Sequence, residues 1–96
     1  MTVSYNQVTV ATSGQTAIVS PANASASFSS SQTRRQVTVT NHGGHTVYLG
    51  DSAVTSSNGY LLTDGSSVTM VLYAQDGLYG VSSGSSSVVS YIETGV

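Results

Sequence analysis

The sequence has no cysteine, no tryptophan and no lysine, a single proline and a single phenylalanine, and only 6% of its 96 residues are charged. Without cysteine it can form neither a disulfide framework nor a thiolate metal site. Its two arginines, Arg34 and Arg35, are too few to neutralise a phosphate backbone, so nucleic-acid binding is not expected. A polybasic contact with a membrane surface fails for the same reason. No apolar run approaches the roughly 20 residues of a membrane span. The first residues, Met1-Thr-Val-Ser-Tyr5, carry neither a positive stretch nor an apolar one, so no secretion signal is expected. The acids are Asp51, Asp64, Asp76 and Glu93, and the net charge is −2.

What is present is strand periodicity. In Arg34-Arg-Gln-Val-Thr-Val-Thr-Asn41, Val37 and Val39 alternate with Thr38 and Thr40, the period of a half-buried strand. The Gly43-Gly44 pair stops it. Thr46–Leu49, Ala53–Val54, Tyr60–Leu62, Val68–Tyr73, Leu78–Val81 and Val88–Ile92 read as further strands, and turn signals such as Gly50-Asp51, Asn58-Gly59 and Asp64-Gly65 punctuate the run. Upstream, Val3 and Tyr5 share one parity while Val8 and Val10 share the other, which predicts a bulge or a bend at Asn6-Gln7. Gln15–Val19 is a short strand ended by Pro21. Ala22–Thr33, almost all Ala and Ser, reads as a loop or as an arm ordered against a neighbour, with Phe28 as its one aromatic anchor.

These elements predict one all-β domain: a small β-sandwich of about eight short strands, jelly-roll-like or Ig-like. Residues 1–33 are expected to form an N-terminal strand and arm, and residues 34–96 the sandwich body. A chain of this size buries roughly 64% of the surface that its unfolded form exposes, which leaves a thin core. Several strands are apolar on both faces. Val68, Met70 and Leu72 oppose Val71 and Tyr73, Val88 and Ile92 oppose Val89 and Tyr91, and Tyr48 opposes Val47 and Leu49. A sandwich strand in a lone monomer has one wet face. The second set, Tyr48, Val71, Tyr73, Val89 and Tyr91, is therefore expected to be a subunit interface, or else to be covered by loops of the same chain.

No constellation for catalysis stands out. His42-Gly-Gly-His45 supplies two imidazoles, but a zinc site needs three or four ligands, and a turn between strands accounts for the loop. Gly80-Val-Ser-Ser-Gly84 has the form of a nucleophile elbow, but no helix follows Ser82, and the hairpin reading is preferred. Asp51, Asp64 and Asp76 each sit beside glycine in a turn, where a carboxylate caps backbone N–H groups. No catalytic residue, metal or cofactor is therefore expected. Arg35 has the parity of Val37 and Val39 and is expected to pair inward with a carboxylate or loop carbonyls. Arg34 has the parity of Thr38, is expected to point outward, and is a candidate contact to an acidic partner surface.

Taken in order, Arg34-Arg35-Gln-Val-Thr-Val-Thr-Asn, Thr46-Val-Tyr-Leu-Gly50, Val54-Thr-Ser-Ser-Asn-Gly-Tyr60-Leu, the Gly65 turn, Leu78-Tyr-Gly-Val and Tyr91-Ile-Glu-Thr-Gly95 resemble small β-domain proteins of tailed bacteriophages that infect actinobacteria. The resemblance covers about residues 34–95. It implies a virion structural protein, made in the host bacterial cytoplasm and placed on the outer capsid surface. There it would act as a decoration, or cement, protein that binds the major capsid protein as a homotrimer, with Phe28 and Arg34 as capsid contacts. The alternative is a tail or head-fibre module that binds host-surface glycans, with Tyr60 and the Asn58-Gly59 turn as a sugar platform.

Overall fold

The computed structural model describes residues 3–19, 34–73 and 76–95. Phe28 and the whole Ala/Ser-rich stretch, Ala22–Thr33, lie outside these residues. Eight strands follow in chain order: β1 (Val3–Val10), β2 (Thr16–Val19), β3 (Arg34–Asn41), β4 (Val47–Gly50), β5 (Tyr60–Leu62), β6 (Ser67–Tyr73), β7 (Leu78–Ser82) and β8 (Ser87–Gly95). They form two four-stranded antiparallel sheets, one ordered β1-β8-β3-β6 and the other β2-β7-β4-β5. The first is called the long sheet here and the second the short sheet. The chain crosses between sheets at every connection except β4–β5, and the resulting double Greek key is a jelly roll. Of the two topologies expected, strand order selects this one over the immunoglobulin-like one.

The core is built mostly of valine. Val10, Val19, Val37, Val39, Val47 and Val89 are fully buried between the sheets, with Ile18, Leu49, Leu62 and Tyr91 around them. β-branched side chains suit this thin space because they are stiff and pack well on a pleated surface.

Four expectations need correction. First, β1 and β2 are not an arm. β1 is the outer strand of the long sheet on β8, and β2 is the outer strand of the short sheet on β7. Second, β1 has no bulge at Asn6-Gln7, since its register on β8 runs unbroken from Val3↔Thr94 to Val10↔Ser87. The change of parity is real but is absorbed differently. Val3 and Tyr5 face outward, and the inward positions opposite Glu93 and Tyr91 are the polar Ser4 and Asn6. The shift in register falls in β2, between Ala17 and Val19.

Third, Ala53–Val54 is a turn and not a strand. The β4–β5 connection folds back on the outer face of the short sheet, and Val54 is buried there. This explains Gly59. A β-carbon on it would lie 2.6 Å from Tyr48 Cβ and 2.8 Å from Val54 Cγ2, so close packing selects glycine at this position. Its φ is not positive, whereas Gly65 of the Asp64-Gly65 turn has φ 84°.

Fourth, Val89 and Tyr91 do not face outward. β8 is a central strand, and Val89 pairs with Val8 and Asn41 while Tyr91 pairs with Asn6 and Val39, all on the core side. Both side chains are buried, and Val88 and Ile92 take the outer face.

The β1–β2, β3–β4, β5–β6 and β7–β8 connections gather at one end of the sandwich. Backbone bonds knit them together: Ser82 N–H donates to Ala11 O (2.9 Å), Ser83 N–H to Thr46 O (3.0 Å), and Gly65 N–H to Asn41 O (2.7 Å). At the centre of this end Gly43 lies against the start of β8. A β-carbon there would overlap the Val88 backbone nitrogen and the Ser87 hydroxyl. Gly43→Ala must push β8 away from the β3–β4 corner. We expect it to lower the unfolding free energy by about 2 kcal/mol, measured by urea denaturation, because a methyl group forced against backbone cannot be relieved by a rotamer change.

Candidate interaction surface

The outer face of the long sheet is assembled by register. Val3, Thr94, Gln36 and Val71 lie in one row across β1, β8, β3 and β6, and Tyr5, Ile92, Thr38 and Thr69 lie in the next. Arg34 and Tyr73 pair at one end of the sheet. Arg34 is the one charged side chain that these strands direct outward among the described residues. The face also carries five exposed large hydrophobic residues: Val3, Tyr5, Val71, Tyr73 and Ile92. Tyr5 is 76% exposed, and Val71 and Tyr73 are 56% and 58% exposed. Cross-strand hydroxyl pairs, Thr38 with Thr69 (2.9 Å) and Thr40 with Ser67 (2.6 Å), fix the β3–β6 side of the face.

Of the five side chains expected to form an interface, Val71 and Tyr73 therefore stand exposed on this face. Tyr48 is on the other sheet, half-buried beside Gly59 under the β4–β5 connection. Val89 and Tyr91 are core. Sequence reasoning missed Val3, Tyr5 and Ile92. The parity change in β1 was the available signal, since two apolar residues out of phase with Val8 and Val10 must face outward in an unbulged strand.

The two flanks of the sandwich differ. On the β1/β2 flank Val10, Ile18 and Val19 are buried and close the seam between the sheets at that level, although Asn6 farther along β1 is exposed. On the β5/β6 flank it is open. Val68, Met70 and Leu72 of β6 face inward but are only half-buried. Tyr60 pairs with Leu49 on the core side of β5, yet it is 62% exposed because β5 is only three residues long. A cleft of about 250 Å³ opens here, lined by Leu49, Gly50, Tyr60, Val68, Met70 and Leu78.

The remaining chemistry is structural. Arg35, the inward arginine, donates from Nη1 to Glu93 Oε2 (3.1 Å) and from Nη2 to the Asp76 carbonyl. Both side chains of this pair are buried. The expected carboxylate is thus Glu93, which shares the parity of Tyr91 and Val89 and so follows them into the core. Its Oε1 makes no hydrogen bond of normal length among the described residues. Burial pushes the Glu93 carboxyl up from its ordinary value of 4.5, and the Arg35 charge, the Arg35 hydrogen bond and the Ser4 hydroxyl only partly offset it. A carboxyl whose pKa is raised by folding adds stability below its unfolded pKa and loses that contribution as pH rises through the folded value. The difference in stability between the wild type and Glu93→Gln is therefore expected to move in favour of the wild type as pH falls from neutral toward 4.5. Urea midpoints across that range measure it, and a difference constant with pH would contradict the assignment.

His42 Nε2 shares a hydrogen with Ser90 Oγ (2.6 Å), and the backbone carbonyl of His45 receives Asn41 Nδ2 (2.6 Å). Asp51 and Asp64 accept backbone N–H bonds from Ala53 and Gly44, both at 2.9 Å. No three His, Asp or Glu side chains among the described residues gather to hold a metal. Ser82, the last residue of β7, is buried and donates to Ser85 O (2.5 Å), and the connection that follows it leads to another strand.

Neither a protein-family model nor a curated protein sequence matches the chain. Among solved structures it is similar to a Bacillus endospore appendage, from a novel family of disulfide-linked pili. The two share 16% identity over 99% of this chain and 89% of that chain, at a TM-score of 0.46. A likeness of that score carries no argument about ancestry or role, and a chain without cysteine has no counterpart to the disulfides.

Proposed function

We propose that the protein is a non-enzymatic structural component of a phage virion, a capsid decoration protein that binds the major capsid protein on the outer shell. The observation that carries this reading is the outer face of the long sheet. It is broad, rich in Val, Ile, Tyr and Thr, and holds one charge, Arg34. Exposed apolar patches of this kind mark protein contacts. The order of motifs from Arg34 to Gly95 supports the phage assignment. The side chains of His42, Asp51, Asp64 and Ser82 are engaged in hydrogen bonds that hold turns and strands, which supports a structural reading of these residues.

A protein that binds only the assembled shell stabilises it by mass action. Arg34, at the end of the sheet beside exposed Tyr73, supplies a charge for an acidic partner group. The glycan-binding alternative gains less from the geometry. The cleft beside Tyr60 is lined by aliphatic residues and offers few partners for sugar hydroxyls. Quantitative mass spectrometry of purified virions tests the proposal. Decoration requires a copy number in fixed proportion to the major capsid protein. A copy number matching tail-tip components would favour the fibre reading, and absence from the particle would overturn both.

A further inference from the structure

The open β5/β6 flank carries an inference that does not depend on the capsid reading. Proteins guard edge strands with charge, proline, bulges or short length. Two of the four edges here are guarded in this way. β5 has three residues, and β2 has four and a register shift. β1 also lacks charge and proline, but Val10 at its end is fully buried with Ile18 and Val19 of β2, so among the described residues no apolar cleft like that beside β6 lies there. β6 has none of these defences. Its seven residues, Ser67-Val-Thr-Met-Val-Leu-Tyr73, contain no charge and no proline, and its register on β3 is unbroken.

The phase of its free edge follows from the ladder. In an antiparallel pair, alternate residues turn N–H and C=O toward the neighbour. Asn41 N–H donates to Ser66 O, so β3 takes the even-numbered residues of β6. Ser67, Thr69 and Val71 direct their backbone groups to the open edge. So does the N–H of Tyr73, whose carbonyl receives Asp76 N–H.

We propose that this edge binds a second copy of itself, β6 against β6, in an antiparallel two-fold pair centred on Met70. That register sets Thr69 against Val71 and Ser67 against Tyr73 of the other copy, so every edge-directed residue meets an edge-directed one. Inward residues also meet inward ones: Val68 faces Leu72, and Met70 faces Met70. The two long sheets then become one continuous sheet, and the two apolar clefts close against each other. No charged side chain lies in the strand to oppose its own copy, which removes the usual penalty of self-pairing.

The area is sufficient. A seven-residue strand is about 24 Å long, and two sheets about 10 Å apart with half a layer of side chains on each side make a flank about 20 Å thick. The product is on the order of 500 Å² per copy. That brings the total to about 1,000 Å², where specific interfaces begin. The proposed two-fold pair differs from the homotrimer that the family resemblance implies.

The test uses the full chain, by light scattering across a dilution series and by cross-linking. The wild type should give a dimer that dissociates on dilution. Val71→Lys, at an exposed position, should raise the dissociation constant roughly tenfold or more, since an edge lysine is a natural guard against pairing. Met70→Cys should form a covalent dimer on oxidation, because residues facing at a non-hydrogen-bonded position have Cα atoms about 4.5 Å apart, within disulfide range. Ser67→Cys, which faces Tyr73 of the other copy, should not. A monomer at every concentration would overturn the proposal. So would an oligomer indifferent to Val71→Lys, or cross-linking as efficient through position 67 as through position 70.

Discussion

Arg35→Met is expected to cost about 3–5 kcal/mol of stability, and adding Glu93→Leu to it is expected to restore most of the loss. The single substitution leaves the Glu93 carboxylate in the core without its counter-charge, at a residue that is fully buried. It also takes a hydrogen bond from the Asp76 carbonyl, which loosens the β6–β7 connection. The double variant removes both charges and fills their space with apolar volume. Buried ion pairs replaced in this way are often neutral or even stabilising, because the cost of desolvating two ions cancels much of their attraction. Urea denaturation of the wild type, both single variants and the double variant forms a complete cycle. If the double variant is as unstable as Arg35→Met, the pair contributes more than charge compensation, and the link to Asp76 becomes the main term.

Asn41→Ala is expected to cost a similar amount, again about 3–5 kcal/mol, although no charge is involved. Asn41 is fully buried, and its amide makes four bonds. Nδ2 donates to His45 O (2.6 Å) and Leu62 O (2.9 Å), while Oδ1 accepts from Ser87 Oγ (2.9 Å) and Gly43 N–H (3.3 Å). One side chain thus joins β3, the β3–β4 corner, β5 and the start of β8. Each buried group left without a partner costs about 1–3 kcal/mol, although Ser87 retains His45 O as a second acceptor (3.2 Å). Asn41→Asp separates donor from acceptor. It keeps the acceptor but sets a carboxylate against two carbonyls, so it should be the less stable of the two variants at neutral pH and recover on acidification. Urea midpoints at neutral and acid pH distinguish them. Equal midpoints for Asn41→Ala and the wild type would show that water replaces the amide without loss.

The strands and the class of fold were legible because Val/Thr alternation and glycine turns are local signals. So were the opposite directions of Arg34 and Arg35, which follow from parity alone. β8 was misread because both of its faces are apolar, and alternation then has no sign. Only its place between β1 and β3, set by pairings with residues far away in sequence, decides that Val89 and Tyr91 go inward. Glu93 was hidden by the same fact, since an acid near a strand end reads as solvated until its neighbours' direction is known. Asn41 read as a strand stop, and its four partners come from three separate parts of the chain. Tyr48 depended on a loop that folds back over its sheet, which no periodicity encodes. Strand order, and with it the open cleft of the β5/β6 flank, is a property of long-range pairing.

Burial of Arg35 and Glu93 against each other leaves Arg34, Asp51, Asp64 and Asp76 as the charged side chains at the surface. Contacts between protein surfaces usually weaken in brine because dissolved ions screen them. The contact faces proposed above are made of valine, tyrosine, threonine and bare backbone, which leave little to screen. Associations through those proposed faces should hold across wide swings of ionic strength and loosen instead in the cold, where the drive to exclude water from apolar surface fades.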